Sequence, residues 1–121
     1  MANFTKLHLS GSVDGRNIRV VATATPGTTI HTATSSTGSD SYDEVWIWAG
    51  STSAAPINMT IQVSGISDEG DSINARVQPA YAGLTLVVPG LPYRNAVVLT
   101  ATAATASRVN LSGYVNRISA Q

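Results

Sequence analysis

The feature that most constrains this chain is strict period-two alternation. In "INMTIQVS", Ile57, Met59, Ile61 and Val63 alternate with Asn58, Thr60, Gln62 and Ser64. Successive side chains of a β-strand point to opposite faces, so this is the pattern of a half-buried strand; an amphipathic helix would space its apolar residues every three to four positions. "SINARVQ" repeats the pattern with Ile73, Ala75 and Val77 facing inward. Further strand segments are "FTKLHLS", "NIRVVATA", "TTIHTAT", "YDEVWIWAGS", "GLTLVVP", "NAVVLTATA" and "RVNLSGYVNRI". Helical periodicity holds over no useful window. About eight to nine short strands at spacings of roughly ten residues predict an all-β, single-domain antiparallel β-sandwich, jelly-roll-like, rather than a βαβ fold.

The punctuation agrees. Asp14-Gly15 in "VDGRN" and Pro26-Gly27 in "TPGT" are turn signals, because Gly reaches positive φ without a Cβ clash and Pro presets its own φ. "TSSTGSDS" (residues 34–41) and "SDEGDS" (67–72) read as polar loops, and "VPGLPYRN" (88–95) as a rigid connection bracketed by Pro89 and Pro92. "TATAATAS" (100–107) reads as a continuation of the alternating strand that holds Val97 and Leu99. There is no linker or internal repeat, so residues 1–121 are expected to form one domain. A chain of this length buries roughly two-thirds of the surface exposed when it is unfolded, enough for one core.

"YDEVWIWAGS" raises a question of burial. As a strand it places Val45, Ile47 and Ala49 on one face and Glu44, Trp46 and Trp48 on the other, so both faces are largely apolar. "NAVVLTATA" does the same, with Val97, Leu99 and Ala101 opposite Ala96 and Val98. A two-sheet sandwich has one interior, so a second apolar face must pack on a loop, another subunit or a partner. Trp46 and Trp48 therefore either cap one end of the core or line a subunit interface, where Trp and Tyr are enriched and charge is depleted.

Charge narrows the partners. Charged residues are 12% of the chain, about half the usual share, and seven bases balance seven acids for a net charge of +0. Such a surface resists association poorly. The bases are scattered, which argues against nucleic acid or an anionic membrane as partner. The start "MANFTKLHLSG" carries no apolar run after its Lys, and no stretch approaches the length of a membrane span, so synthesis and assembly in the cytoplasm are expected. The sequons at Asn3, Asn58 and Asn110 are read as chance products of a Ser/Thr-rich composition.

The chain offers little chemistry. With no cysteine, disulfides, thiolate zinc sites and a cysteine nucleophile are excluded. His8 and His31 are far apart in sequence, without a neighbouring carboxylate pattern, and read as surface or core groups rather than metal ligands. Asp68, Glu69 and Asp71 lack the alternating oxygen-ligand spacing of a calcium loop and read as a solvated turn, as do Asp40, Asp43 and Glu44. No Gly-x-Ser-x-Gly elbow, phosphate-cradling loop or dinucleotide fingerprint occurs. A non-enzymatic protein without cofactor or metal is expected. "LPYRN" is the candidate contact loop, since Pro92 stiffens it and Tyr93 and Arg94 are residue types that anchor interfaces.

The combination of "ATATPGTTIHTAT", "DEVWIWAGSTSAAPINMTIQV", "GLTLVVPGLPYRNAVVLTATAA" and the ending "VNLSGYVNRI" resembles the small β-sandwich virion proteins of tailed bacteriophages, particularly those that decorate or cement the capsid. The resemblance covers nearly the whole chain and rests on the rhythm of strands and turns. It implies a jelly-roll-like trimer on the outer capsid that clamps neighbouring major capsid proteins, with no catalytic residues. The double-apolar strands would then build the trimer, while "VPGLPYRN" or the N-terminal "MANFTK" grips the shell. The alternatives are a receptor- or carbohydrate-binding module of a tail fibre, with Trp46 and Trp48 as a solvent-facing platform, or another head-tail or tail component of the virion.

Overall fold

The structure, a computed structural model, describes residues 3–37, 41–63 and 69–119. All nine expected segments form strands: β1 (Asn3–His8), β2 (Ile18–Val20), β3 (Thr28–Thr32), β4 (Tyr42–Ser51), β5 (Ile57–Val63), β6 (Ser72–Val77), β7 (Thr85–Tyr93), β8 (Val98–Ala103) and β9 (Val109–Ser119). A short 3-10 turn at Glu69–Asp71 precedes β6.

One sheet has the order β1-β9-β4-β7, with β2 also paired to β9; the other has the order β3-β8-β5-β6. Every pairing is antiparallel. β1 pairs with Tyr114–Ser119 and β2 with Val109–Leu111, so the two act as one interrupted strand along β9. Counted that way, the two four-strand orders are those of a jelly roll, and the expected β-sandwich is the fold.

The core lies between the sheets and follows the period-two rule. Val45, Ile47 and Ala49 of β4 meet Leu99 and Ala101 of β8 and Met59 and Ile61 of β5, all buried. Burying each of the larger of these, the valine, leucine, isoleucine and methionine side chains, contributes roughly 1.5–3 kcal/mol. The turns match their residue chemistry. Asp14 and Gly15 both take positive φ (54° and 78°), as does Gly27 (92°) after Pro26.

Four expectations are corrected. "VPGLPYRN" is not a connection: β7 continues through it to Tyr93. Its prolines are tolerated because β7 is an edge strand, with β4 on one side only, and because its pairing slips twice, between Val45/Trp46 and between Ile47/Trp48. The turn falls later, at Asn95 and Ala96, both at positive φ, so β8 begins at Val98 rather than Asn95. "TATAATAS" is strand only to Ala103, after which the chain turns. Gln62, expected to face outward, is buried at 5% exposure, as is its cross-strand partner Thr100.

Candidate functional site

The outward face of the β1-β9-β4-β7 sheet holds the aromatic residues in question. Alternation along β4 puts Val45, Ile47 and Ala49 inside, which leaves Glu44, Trp46 and Trp48 outside. The register then decides their neighbours. Trp46 lies opposite Tyr114 of β9 and Pro89 of β7, and Trp48 opposite Ser112 and Leu86.

The three rings contact one another. Trp46 and Trp48 have centroids 6.2 Å apart with planes at 17°; Tyr114 is 6.3 Å from Trp46 at 18° and 5.9 Å from Trp48 at 28°. Three nearly equal separations describe a triangle, since a column would make one distance about the sum of the other two. No ring is sandwiched between the others, and all three residues stay half-exposed. Such contacts add about 0.5–1.5 kcal/mol per pair beyond area burial.

Polar groups hold the triangle in place. Trp46 Nε1 donates to Glu44 Oε1 at 2.8 Å, and Asn116 Nδ2 donates to the same oxygen at 3.2 Å. The Lys6 ammonium stands 4.6 Å from the Tyr114 ring centroid, a cation–π contact. Beneath Trp46, Gly90 occupies one of the β7 slips at φ 72°, the geometry of a glycine bulge. A Cβ there would lie 2.6 Å from the indole Cζ2, so Gly90 makes room for the ring. Exposed apolar side chains continue the face at the start of β7, with Leu84 at 60% and Leu86 at 44% exposure, and Phe4 stands out on β1.

The "LPYRN" residues lie at the far end of β7. Pro92 and Arg94 are exposed, while Tyr93 packs its ring against the core. Burial and the negative charge of Asp71 push the Tyr93 phenol above its ordinary value. With Tyr42, these three residues line a cavity of about 450 Å³. Pro92 is the cross-strand partner of Glu44, whose carboxylate accepts from Trp46 Nε1, so the start of "LPYRN" borders the tryptophans while Arg94 lies beyond the end of the strand.

A second cluster lies inside the sandwich. Asp43 and Arg117 are cross-strand partners on the inner face, and His31 reaches Asp43 from the opposing sheet. Asp43 is wholly buried, so it is no solvated turn residue; Glu44 likewise lies within β4, and Asp40 falls outside the described residues. Arg117 donates to both carboxylate oxygens (Nε 2.7 Å, Nη2 2.9 Å), and the Thr34 N–H donates to Oδ2 at 3.0 Å. His31 Nδ1 accepts from the Ser10 N–H at 3.0 Å, which leaves Nε2 carrying the hydrogen it donates to Asp43 at 2.8 Å. Burial raises the Asp43 pKa, but the bonds and charges of Arg117 and His31 outweigh it and hold the carboxyl below its ordinary 3.8.

Of the two readings the sequence left open for His31, surface or core, the structure shows the core one, with a carboxylate the sequence did not place beside it and both ring nitrogens occupied. The Asp43–His31 pair resembles part of a hydrolase triad, but what faces the free end of the imidazole is the Ser10 backbone N–H. The Ser10 Oγ instead accepts from the Thr32 N–H at 2.7 Å. His8, by contrast, is exposed at the end of β1. Among the described residues no group of three or more His, Asp or Glu side chains is placed to hold a metal ion; Asp68 lies outside them.

Sequence reasoning missed Tyr114, Lys6 and Asn116. The alternation of "VNLSGYVNRI" does place Tyr114 and Asn116 outward, but only the register of β9 against β4 and β1 brings them to the tryptophans. No protein-family model, curated protein or solved structure matches this chain.

Proposed function

We propose that this protein is a structural component of a tailed-phage virion, a capsid decoration or cement protein that self-associates as a trimer through the outward face of its β1-β9-β4-β7 sheet. The observation that carries the reading is the half-exposed Trp46–Trp48–Tyr114 triangle, extended by Leu84 and Leu86 on a sheet whose other face already fills the core. A contiguous apolar patch of this kind on a chain of net charge +0 suits burial against another copy. Lys6 and Glu44 lie on the same face, so it carries both signs of charge and does not repel itself. The step from self-association to the capsid rests on the sequence resemblance. On a shell, many modest contacts repeated over a closed lattice add through multivalency, so each need not be strong.

Two measurements test this. Light scattering of the purified protein over a range of concentrations should return the mass of three chains. Particles stripped of the protein should lose resistance to heat and osmotic shock and regain it on add-back; unchanged particle stability would sink the decoration role. The second reading, a glycan-binding module, draws support from the same near-parallel rings set beside Lys6 and Asn116. A monomeric mass together with tryptophan emission that responds to added glycans would favour it.

A further inference from the structure

A cavity of about 600 Å³ opens where the loop between β1 and β2 meets β9, lined by Val13, Arg16, Asn17, Ile18, Arg19 and Asn110 together with Gly11. Its size suits a small ligand. Its charge is one-sided, since two guanidiniums line it and no carboxylate does. Neither Arg16 nor Arg19 has an ion pair or a side-chain hydrogen bond among the described residues, and Asp14, the acid of the same loop, bridges to neither. Arg117, by contrast, is paired with Asp43. Arg108, exposed and two residues before Asn110, adds a third cation to this end of the sheet. Glu44 is far off: it lies opposite Asn116, six residues along β9 from Asn110 and therefore about 20 Å away.

The backbone that carries these groups is ordered. Arg19 sits between the buried Ile18 and Val20, directly opposite Asn110. The Arg16 N–H donates to Val13 O at 2.9 Å, and the Arg16 carbonyl accepts from Ser12 Oγ at 2.7 Å. The Gly11 N–H donates to Ile30 O at 2.8 Å; a Cβ on Gly11 would lie 2.7 Å from that oxygen, so glycine lets the loop lie this close. The fold thus sets two unpaired guanidiniums on one concave surface and makes no internal use of either.

We propose that this cavity binds an oxyanion, a phosphate or carboxylate group carried by a small hydroxylated ligand. Arginine presents five donors and no acceptor in a planar fork that matches two oxygens of either group, and such charge-assisted bonds are about twice as strong as neutral ones. The Asn17 and Asn110 carboxamides both donate and accept, which suits hydroxyls on the rest of the ligand. Val13, exposed at 69%, offers an apolar wall. The inference does not depend on self-association, because none of Trp46, Trp48 and Tyr114 lines the cavity.

Isothermal titration calorimetry of the full chain at low salt tests this with inorganic phosphate, glycerol phosphate, glycerate and glycerol. One saturable site per chain is expected for the anions, with a dissociation constant of about 1 mM or tighter, and none for glycerol. Arg16→Gln and Arg19→Gln, both at exposed positions, should each weaken binding at least about tenfold, the loss of one charged hydrogen bond, with circular dichroism unchanged. Arg19→Lys keeps the charge but not the fork and should weaken binding too. Arg76→Gln removes the same charge from the other sheet and should leave binding as it is. Saturation by the two phosphates alone identifies phosphate as the group bound; saturation by glycerate alone identifies carboxylate. No saturable binding of any anion overturns the proposal, whatever mass light scattering returns. Binding that Arg76→Gln weakens as much as Arg19→Gln overturns it as well, since diffuse charge rather than the cavity would then hold the anion.

Discussion

Asp43 shows how much one side chain ties together. It joins β4 to β9 through Arg117 and crosses the sandwich to His31, while also satisfying the Thr34 N–H. Replacing it with alanine would leave a buried imidazole N–H and a partly buried guanidinium without their acceptor, so Asp43→Ala should lower stability by about 3 kcal/mol, read as a shift in the urea midpoint. The pH dependence has a definite sign. The folded-state pKa of Asp43 is depressed, so its stabilisation is fully present above the unfolded-chain value of about 4 and is lost as pH falls from there through the lower native value. Urea midpoints measured between pH 6 and pH 2 should fall along this limb for the parent, and the slope should be shallower in Asp43→Asn. Equal slopes would mean that other carboxyls govern acid unfolding.

Among the elements, β7 forms a strand across residues that ordinarily interrupt one. Pro89, Gly90 and Pro92 spell a connection, yet the strand survives because its outer edge needs no donors and its pairing absorbs extra residues as bulges. Gly90 is the pivot, since it both takes the left-handed conformation and leaves space for the Trp46 indole. Gly90→Ala should cost roughly 1–3 kcal/mol from backbone strain alone, more as Trp46 is displaced, and should shift tryptophan emission in the folded protein. Ala82→Gly, on the exposed loop before the strand, should leave emission where it is. The strands themselves were legible from alternation, and "INMTIQVS" needed nothing more. The end of β7 was not legible, because tolerance of proline depends on lying at an edge, and edge position is a property of the sheet.

For the whole molecule, the informative quantity is how much of the aromatic face is covered. In a free chain Trp46 and Trp48 are half-exposed, so acrylamide should quench them readily at low protein concentration. As copies associate, quenching should fall in step with the rise in mass. Trp48→Ser should weaken association by more than tenfold while leaving the monomer folded, because the side chain faces away from the core. The contact is predominantly apolar, so sulfate should strengthen it and sodium chloride should change it little. Quenching that ignores concentration would mean that the face remains open and serves a ligand instead.

Alternation and turn residues were enough to read the class of fold, the nine strands, which residues of β4, β5 and β6 face the core, and the existence of a surplus apolar face. These follow from local rules, since alternation and turn chemistry act over a few residues. Whom each outward residue meets depends instead on the assembled sandwich. Tyr114 and Lys6 join the tryptophans because β9 lies between β1 and β4, and Asp43 leaves the solvent because Arg117 and His31, far away in the chain, arrive beside it. Strand order and register are set by the packing of the whole sandwich, and no short stretch of residues carries that information.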